Sequence, residues 1–192
     1  MYKKDQITGY NPVLIQADSE FLKYLIKKNN IQLIEGTGLK KLLDDCQNYI
    51  DINAQTQFGI EPLKPLLVLY SLSDTLRILW MKRKDFRVQL SAMNTGDYAY
   101  GVESEDDQIY FKDFELELFS TAYLNEFNVN AELPQHTEGN DIEYKQLEIQ
   151  CKHPKVFNRD KIDGFLRDFQ TTLQNKQIYG VFGIGVDDFL GF

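Results

Sequence analysis

The stretch Asp141-Ile142-Glu143-Tyr144-Lys145-Gln146-Leu147-Glu148-Ile149-Gln150-Cys151-Lys152-His153-Pro154 alternates polar and apolar side chains. In a strand that period sends them to opposite faces. Glu148, Gln150 and Lys152 then share one face. Asp141 and Glu143 share a face of the preceding strand, while Ile142 and Tyr144 lie on the other side with Ile149 and Cys151. Paired as neighbours, strands over 141–144 and 147–152 bring Asp141 close to Gln150 and Lys152.

Working outward, the sequence predicts a helix over 114–124, a strand over 128–133 and a loop over 134–140 before this stretch. After it come a helix over 160–175 and a β-rich run over 178–186. Helix, strand, strand, helix, strand is the signature of a mixed α/β core. The first half reads as helical. Phe21, Leu22, Leu25 and Ile26 form one apolar face behind a cap at Asp18 or Ser19, and Leu39, Leu42, Leu43, Cys46, Tyr49 and Ile50 form another after the Gly36-Thr37-Gly38 break. A third helix runs over 66–84, entered through Pro62 and Pro65. Residues 94–107, with Gly96, Gly101 and the acids Glu103, Glu105, Asp106 and Asp107, read as an exposed connection. The expected organisation is one compact unit, with a mainly helical region over 1–107 packing on a core over 108–192.

Composition narrows the class. A chain of 192 residues with 43% apolar and 13% aromatic side chains has material for one buried core. The best apolar run, 65–80, is interrupted by Asp74 and Arg77, so no membrane helix is expected. The N-terminus lacks a secretion-signal pattern, and a cytoplasmic location follows by default. Cys46 and Cys151, the two cysteines, read as reduced thiols. A net charge of −8 argues against indiscriminate nucleic-acid binding but leaves room for a local basic groove. Arg77, Lys82, Arg83 and Lys84 cluster around Trp80, with Arg87 following; they can meet phosphates, although basic residues favour helix C-termini in any case.

Phosphodiester cleavage needs a cation to offset charge on the phosphate and activate water, and magnesium prefers oxygen ligands. Asp141 is the natural principal ligand. Gln150 offers an amide oxygen and Cys151 a backbone carbonyl, while Lys152 suits orienting the nucleophile or stabilising transition-state charge. His136 and His153 read as plain polar residues. The Gly180, Gly183, Gly185 spacing lacks the following helix a dinucleotide site requires.

The order of these parts, a helix with glutamate, then Asp141 at a strand start, then Gln150-Cys151-Lys152, then a helix, resembles the PD-(D/E)xK nuclease superfamily in its Gln-x-Lys variant. The resemblance implies a restriction-endonuclease-like core, a central mixed sheet flanked by helices. It also implies metal-dependent hydrolysis of nucleic acid, DNA more than RNA, with magnesium or else manganese. The family's helix glutamate maps onto Glu115 or Glu117, and Glu115 is preferred because it directly follows Phe114. Gln170 and Gln174 are candidates for a helical glutamine seen in some members. Asn140 stands where proline is common, Gln150 replaces an acid, and the sequence ends at Phe192 where relatives often continue. The alternative is a catalytically degenerate nuclease-fold protein that binds nucleic acid or a protein partner.

Overall fold

Apolar residues spaced three and four apart fold the first half into helices packed on one core. In the computed structural model, which describes residues 12–53, 63–95, 98, 110–135, 141–152 and 158–184, α1 (Pro12–Lys28) buries Leu22, Leu25 and Ile26. Helix α2 (Gly38–Asn53) buries Leu39, Leu42, Leu43, Cys46 and Tyr49, and α3 (Leu63–Met81) buries Leu66, Val68, Leu69, Leu72, Leu76 and Leu79. The third helix stops at Met81, short of the predicted residue 84, because Arg83 takes a left-handed conformation. Its backbone N–H donates to Trp80 C=O, and Lys84 N–H reaches back to Leu79 C=O. The same paired closure ends α1 at Asn30, α5 (Tyr110–Glu126) at Asn128 and α6 (Arg159–Lys176) at Gln177.

A short helix absent from the sequence prediction, α4 (Arg87–Ala92), follows α3. The part of 94–107 that is described also departs from an exposed connection. Asn94 is buried, accepting from Ile34 N–H at 3.3 Å and donating to Gln32 C=O. Tyr98 is buried edge-on against Phe111 and its hydroxyl donates to the Asp45 carboxylate. A polar side chain that closes a backbone gap is buried for its hydrogen bonds, which periodicity cannot register. The acids at 103–107, His136, Asn140 and His153 lie outside the described residues.

The sheet has the order β1 (Ile142–Tyr144), β2 (Leu147–Lys152), β3 (Tyr179–Ile184), with β1 antiparallel and β3 parallel to β2. Ile142 pairs with Ile149 and Gln150 with Phe182. The strand predicted over 128–133 contracts to a single bridge, Glu132 with Glu143, closed by two hydrogen bonds of 2.9 Å. Lys84 holds this segment against the helical half through Glu132 at 2.6 Å and Asn130 at 2.9 Å. Helix α5 covers the sheet face of Ile142, Ile149 and Cys151 with Leu116 and Leu124, and also sends Phe111, Leu118 and Ala122 into the helical core. Helix α6 lies on the opposite face. Asn158 caps it, Lys176 pairs with Glu148 at 2.8 Å, and Phe169 packs on Phe182. The molecule is thus mixed α/β, as expected at that level. Among the described residues no helix is long and apolar enough to cross a membrane.

Two glycines of the α1–α2 connection separate backbone conformation from packing. Both have positive φ, +75° at Gly36 and +48° at Gly38, but a Cβ at Gly36 meets open space whereas at Gly38 it lies 2.2 Å from the Met93 carbonyl oxygen. Gly36→Ala should cost about 1 kcal/mol, the left-handed penalty alone. Gly38→Ala should cost at least roughly twice that, because a backbone neighbour cannot rotate away. Thermal melts of both variants check this; equal shifts in Tm would show that α4 yields freely at this contact.

Candidate active site

Asp141 is placed by the chain itself. Its backbone N–H donates to Ile149 C=O at 3.2 Å, extending the β1–β2 ladder by one residue. Its carboxylate then lies over the next turn of β2, where Oδ2 accepts from Gln150 Nε2 at 2.8 Å and from the Cys151 backbone N–H. Ile149 and Cys151 are two residues apart and turn their backbone groups to the same edge of β2, so the Cys151 carbonyl faces the Asp141 side. The sequence reading that brings Asp141 to Gln150 is met by this hydrogen bond.

Lys152 enters through the field it exerts. It is half-buried, and its positive charge favours the ionised forms of Asp141, Glu117 and Cys151 alike. Burial dominates all three of those groups. It lifts Asp141 to about 6, with Lys152, the Cys151 N–H and Gln150 opposing the rise and Asp113 adding to it. Burial lifts Glu117 further, to about 9, helped by the neighbouring Asp141 charge. The Cys151 thiol goes up to about 12 and is inert as a nucleophile at neutral pH.

The two glutamates considered for the helix position are separated by helix phase. Glu117 is 4% exposed and shares electrostatics with Asp141 and Lys152. Glu115 instead pairs with Lys112 at 2.6 Å, one turn back on α5. Asp113, Glu117 and Ser120 follow the i, i+4, i+7 stripe that faces the Asp141 end of the sheet, and Ser120 bonds the Cys151 thiol. The structure therefore brings Asp141, Gln150, Cys151, Lys152 and Glu117 together and leaves Glu115 out. Gln170 and Gln174 are exposed on α6.

One contributor carries no sequence signal. Gln89 of α4 is 1% exposed, donates to Pro134 C=O at 3.0 Å and supports the ionised form of Glu117. Its Oε1 is buried without a partner among the described residues. A glutamine between Val88 and Leu90 in a six-residue helix offers no pattern by which to find it.

Among the described residues no three His, Cys, Asp or Glu side chains form a group able to hold a metal on their own. A divalent ion held here would draw on mixed oxygens: the carboxylates of Asp141 and Glu117, the Gln150 amide oxygen after rotation of the amide, and the Cys151 carbonyl. That hard-oxygen set fits magnesium or manganese. Burial raises the two carboxylates to about 6 and about 9, and a nearby cation would favour their ionised forms. Comparison of the chain with protein-family models, with curated proteins and with solved structures returned no match.

The raised acids make stability depend on pH in a definite direction. Each is neutral in the folded protein above the pH at which it ionises when unfolded. The stability it contributes is full below its unfolded value and falls as pH rises to the folded one: from 3.8 to about 6 for Asp141, and from 4.5 to about 9 for Glu117. Without added metal, Glu117→Gln should leave Tm unchanged near pH 4 and raise it by roughly 5 °C at pH 8. A variant less stable than the parent at pH 8 would mean that Glu117 is ionised and paired there.

Proposed function

We propose that the protein is a metal-dependent nuclease that hydrolyses phosphodiester bonds in nucleic acid, with DNA favoured over RNA, on a restriction-endonuclease-like core. The observation carrying this reading is the Asp141 carboxylate held against Gln150 and the Cys151 N–H, with Lys152 and the buried Glu117 in the same field. The chain order of helix, bridge, strand, strand, helix, strand around it agrees with the core that the sequence resemblance implies.

Asp141, Glu117, Gln150 and Cys151 C=O are the groups that would hold the ion. The bound ion would supply charge neutralisation at the scissile phosphate and a more acidic water. The chain supplies the rest. The Cys151 N–H holds Asp141 Oδ2 so that its carboxylate need not reorganise during the reaction, while Gln150 would exchange its bond to Asp141 for the ion. Lys152 contributes positive charge at the centre, where it can orient a water or stabilise a developing phosphorane dianion. Glu117, neutral at pH 7 without a cation, must lose its proton to serve as a ligand. Binding of an ion would therefore be coupled to proton release from Glu117.

Cleavage of plasmid, linear and single-stranded DNA and of RNA in magnesium or manganese tests the reading. Asp141→Ala and Lys152→Ala should each lose about 10²–10³-fold or more in rate. Glu117→Ala should fall with them, and Glu115→Ala should stay within about threefold of the parent. Calorimetry of manganese binding at pH 7.5, in buffers of different ionisation enthalpy, should show release of about one proton per ion, that of Glu117. Metal uptake with no cutting of any substrate by the parent would support the degenerate binding scaffold instead.

A further inference from the structure

On a chain of net charge −8, residues 18–30 and 77–87 together hold eight lysines and arginines against three acids. The fold brings these two segments to one corner. Helices α1 and α3 run alongside each other in the same direction, since Arg77 reaches Asp18 at 2.5 Å and Tyr24 packs edge-on against Trp80. Their C-terminal ends are therefore adjacent. Lys28 Nζ stands 3.7 Å from the Trp80 ring centroid. Lys27, Lys28, Lys82 and Arg83 are exposed, and among the described residues no acid pairs with any of the four. Helix-end electrostatics accounts for Lys27 and Lys28 at the last turn of α1. The same preference covers Lys82 and Arg83, directly after the end of α3; what sets the corner apart is that two such ends meet, so that four exposed cations stand together.

Directly after Lys28, Asn29 and Asn30 begin a groove of about 760 Å³ between the segment after α1 and the outer side of α4, lined among others by Gln32, Arg87, Ser91 and Gln135. Its lining offers amide and hydroxyl groups that can both donate and accept. Helix α4 is the wall between groove and candidate active site: Arg87 and Ser91 face the groove, whereas Gln89 meets Pro134 and Glu117 on the other side. A helix is about 10 Å across with its side chains, so a strand occupying the groove passes within a few nucleotides of Asp141.

We infer that this corner and groove bind a single-stranded nucleic-acid segment, its phosphates on Lys27, Lys28, Lys82 and Arg83 and its bases toward the amide-lined groove. The volume suits one or two nucleotides and is too small for a duplex. Tyr24, half exposed beside Trp80, adds an aromatic surface on which a base can stack. The inference rests on the nuclease reading for the direction in which the strand continues; the binding itself does not require cleavage.

The test is fluorescence anisotropy of a labelled 12-nucleotide single strand with the full, unsubstituted chain in EDTA, which prevents metal-dependent cleavage. Adding Lys28→Glu and Arg83→Glu should weaken binding at least tenfold at about 100 mM salt and reduce the log–log salt slope by roughly 1.4. Lys145→Glu, a charge reversal at the exposed β1–β2 turn, is the control and should change affinity less than threefold. Gln32→Ala should weaken binding without altering the slope. No binding by the parent, tighter binding of a duplex or of heparin, or equal effects of the control and the double variant would overturn the inference. Cleavage of the same single strand by the chain in magnesium or manganese is scored separately. A chain that binds through this corner but cuts nothing refutes the nuclease reading alone, and one that cuts with Lys28→Glu and Arg83→Glu as well as without them refutes the groove alone.

Discussion

Helix α5 is buried on two sides by two different partners, and the rest of the structure is arranged around that constraint. Phe111, Leu118 and Ala122 fill the helical core, while Leu116 and Leu124 fill the smaller core under the sheet. A helix clamped in this way has little freedom to rotate about its axis, so the side chains at its seams are fixed in direction. Buried Asn125 adds to the clamp, donating to Thr121 C=O at 2.8 Å and to Ala131 C=O at 3.0 Å, which ties the helix end to the segment entering the sheet. Glu117 lies at one such seam. Turning it away from Asp141 would require unpacking both cores at once, so an energetically unfavourable buried acid persists where it stands.

That acid belongs to a cluster of buried and half-buried carboxylates around the start of β1. Asp113 raises both Glu117 and Asp141, Asp141 raises Glu117, and the charge of Lys152 opposes the rise in both. Carboxylates desolvated in this way are stabilised by holding protons or by a nearby cation. The hydrogen bonds to Asp141 Oδ2 show that the carboxylate is also structural, pinning the start of β1 to the middle of β2. Function and architecture share one group, and replacing Asp141 disturbs strand geometry as well as charge.

Much of the sheet was legible because period-two alternation is robust over a hairpin. Ile142 against Ile149, and Asp141 against Gln150, follow from counting. The choice between Glu115 and Glu117 was not legible, because α5 is apolar on most sides and has no single face from which to read its phase. Adjacency to Phe114 favoured the wrong side of the helix for contact with Asp141, and Lys112 gives Glu115 its partner instead. Helix α4 and its Gln89 escaped notice for a different reason: six residues make less than two turns, too few for a period to emerge. Asn94 and Tyr98 read as loop because polar and small neighbours surround them, yet their burial depends on partners about fifty to sixty residues away, which no local window contains.

The four helix ends closed by a non-glycine residue bear on how this sequence can change. Asn30, Arg83, Asn128 and Gln177 all hold the left-handed conformation that glycine adopts at no steric cost. Each is a position where a drift to glycine is tolerated or favourable to the fold, so selection for stability alone would tend to erase the side chain. Asparagine at 30 and 128 resists that drift weakly, since it is the next most accepted residue there. Arg83 is among the least suited, and its long cationic side chain has no partner in the described fold to hold it in place. Among homologous chains, a basic residue kept at this position while glycine appears at the other three would mark selection acting on the charge and not on the helix end.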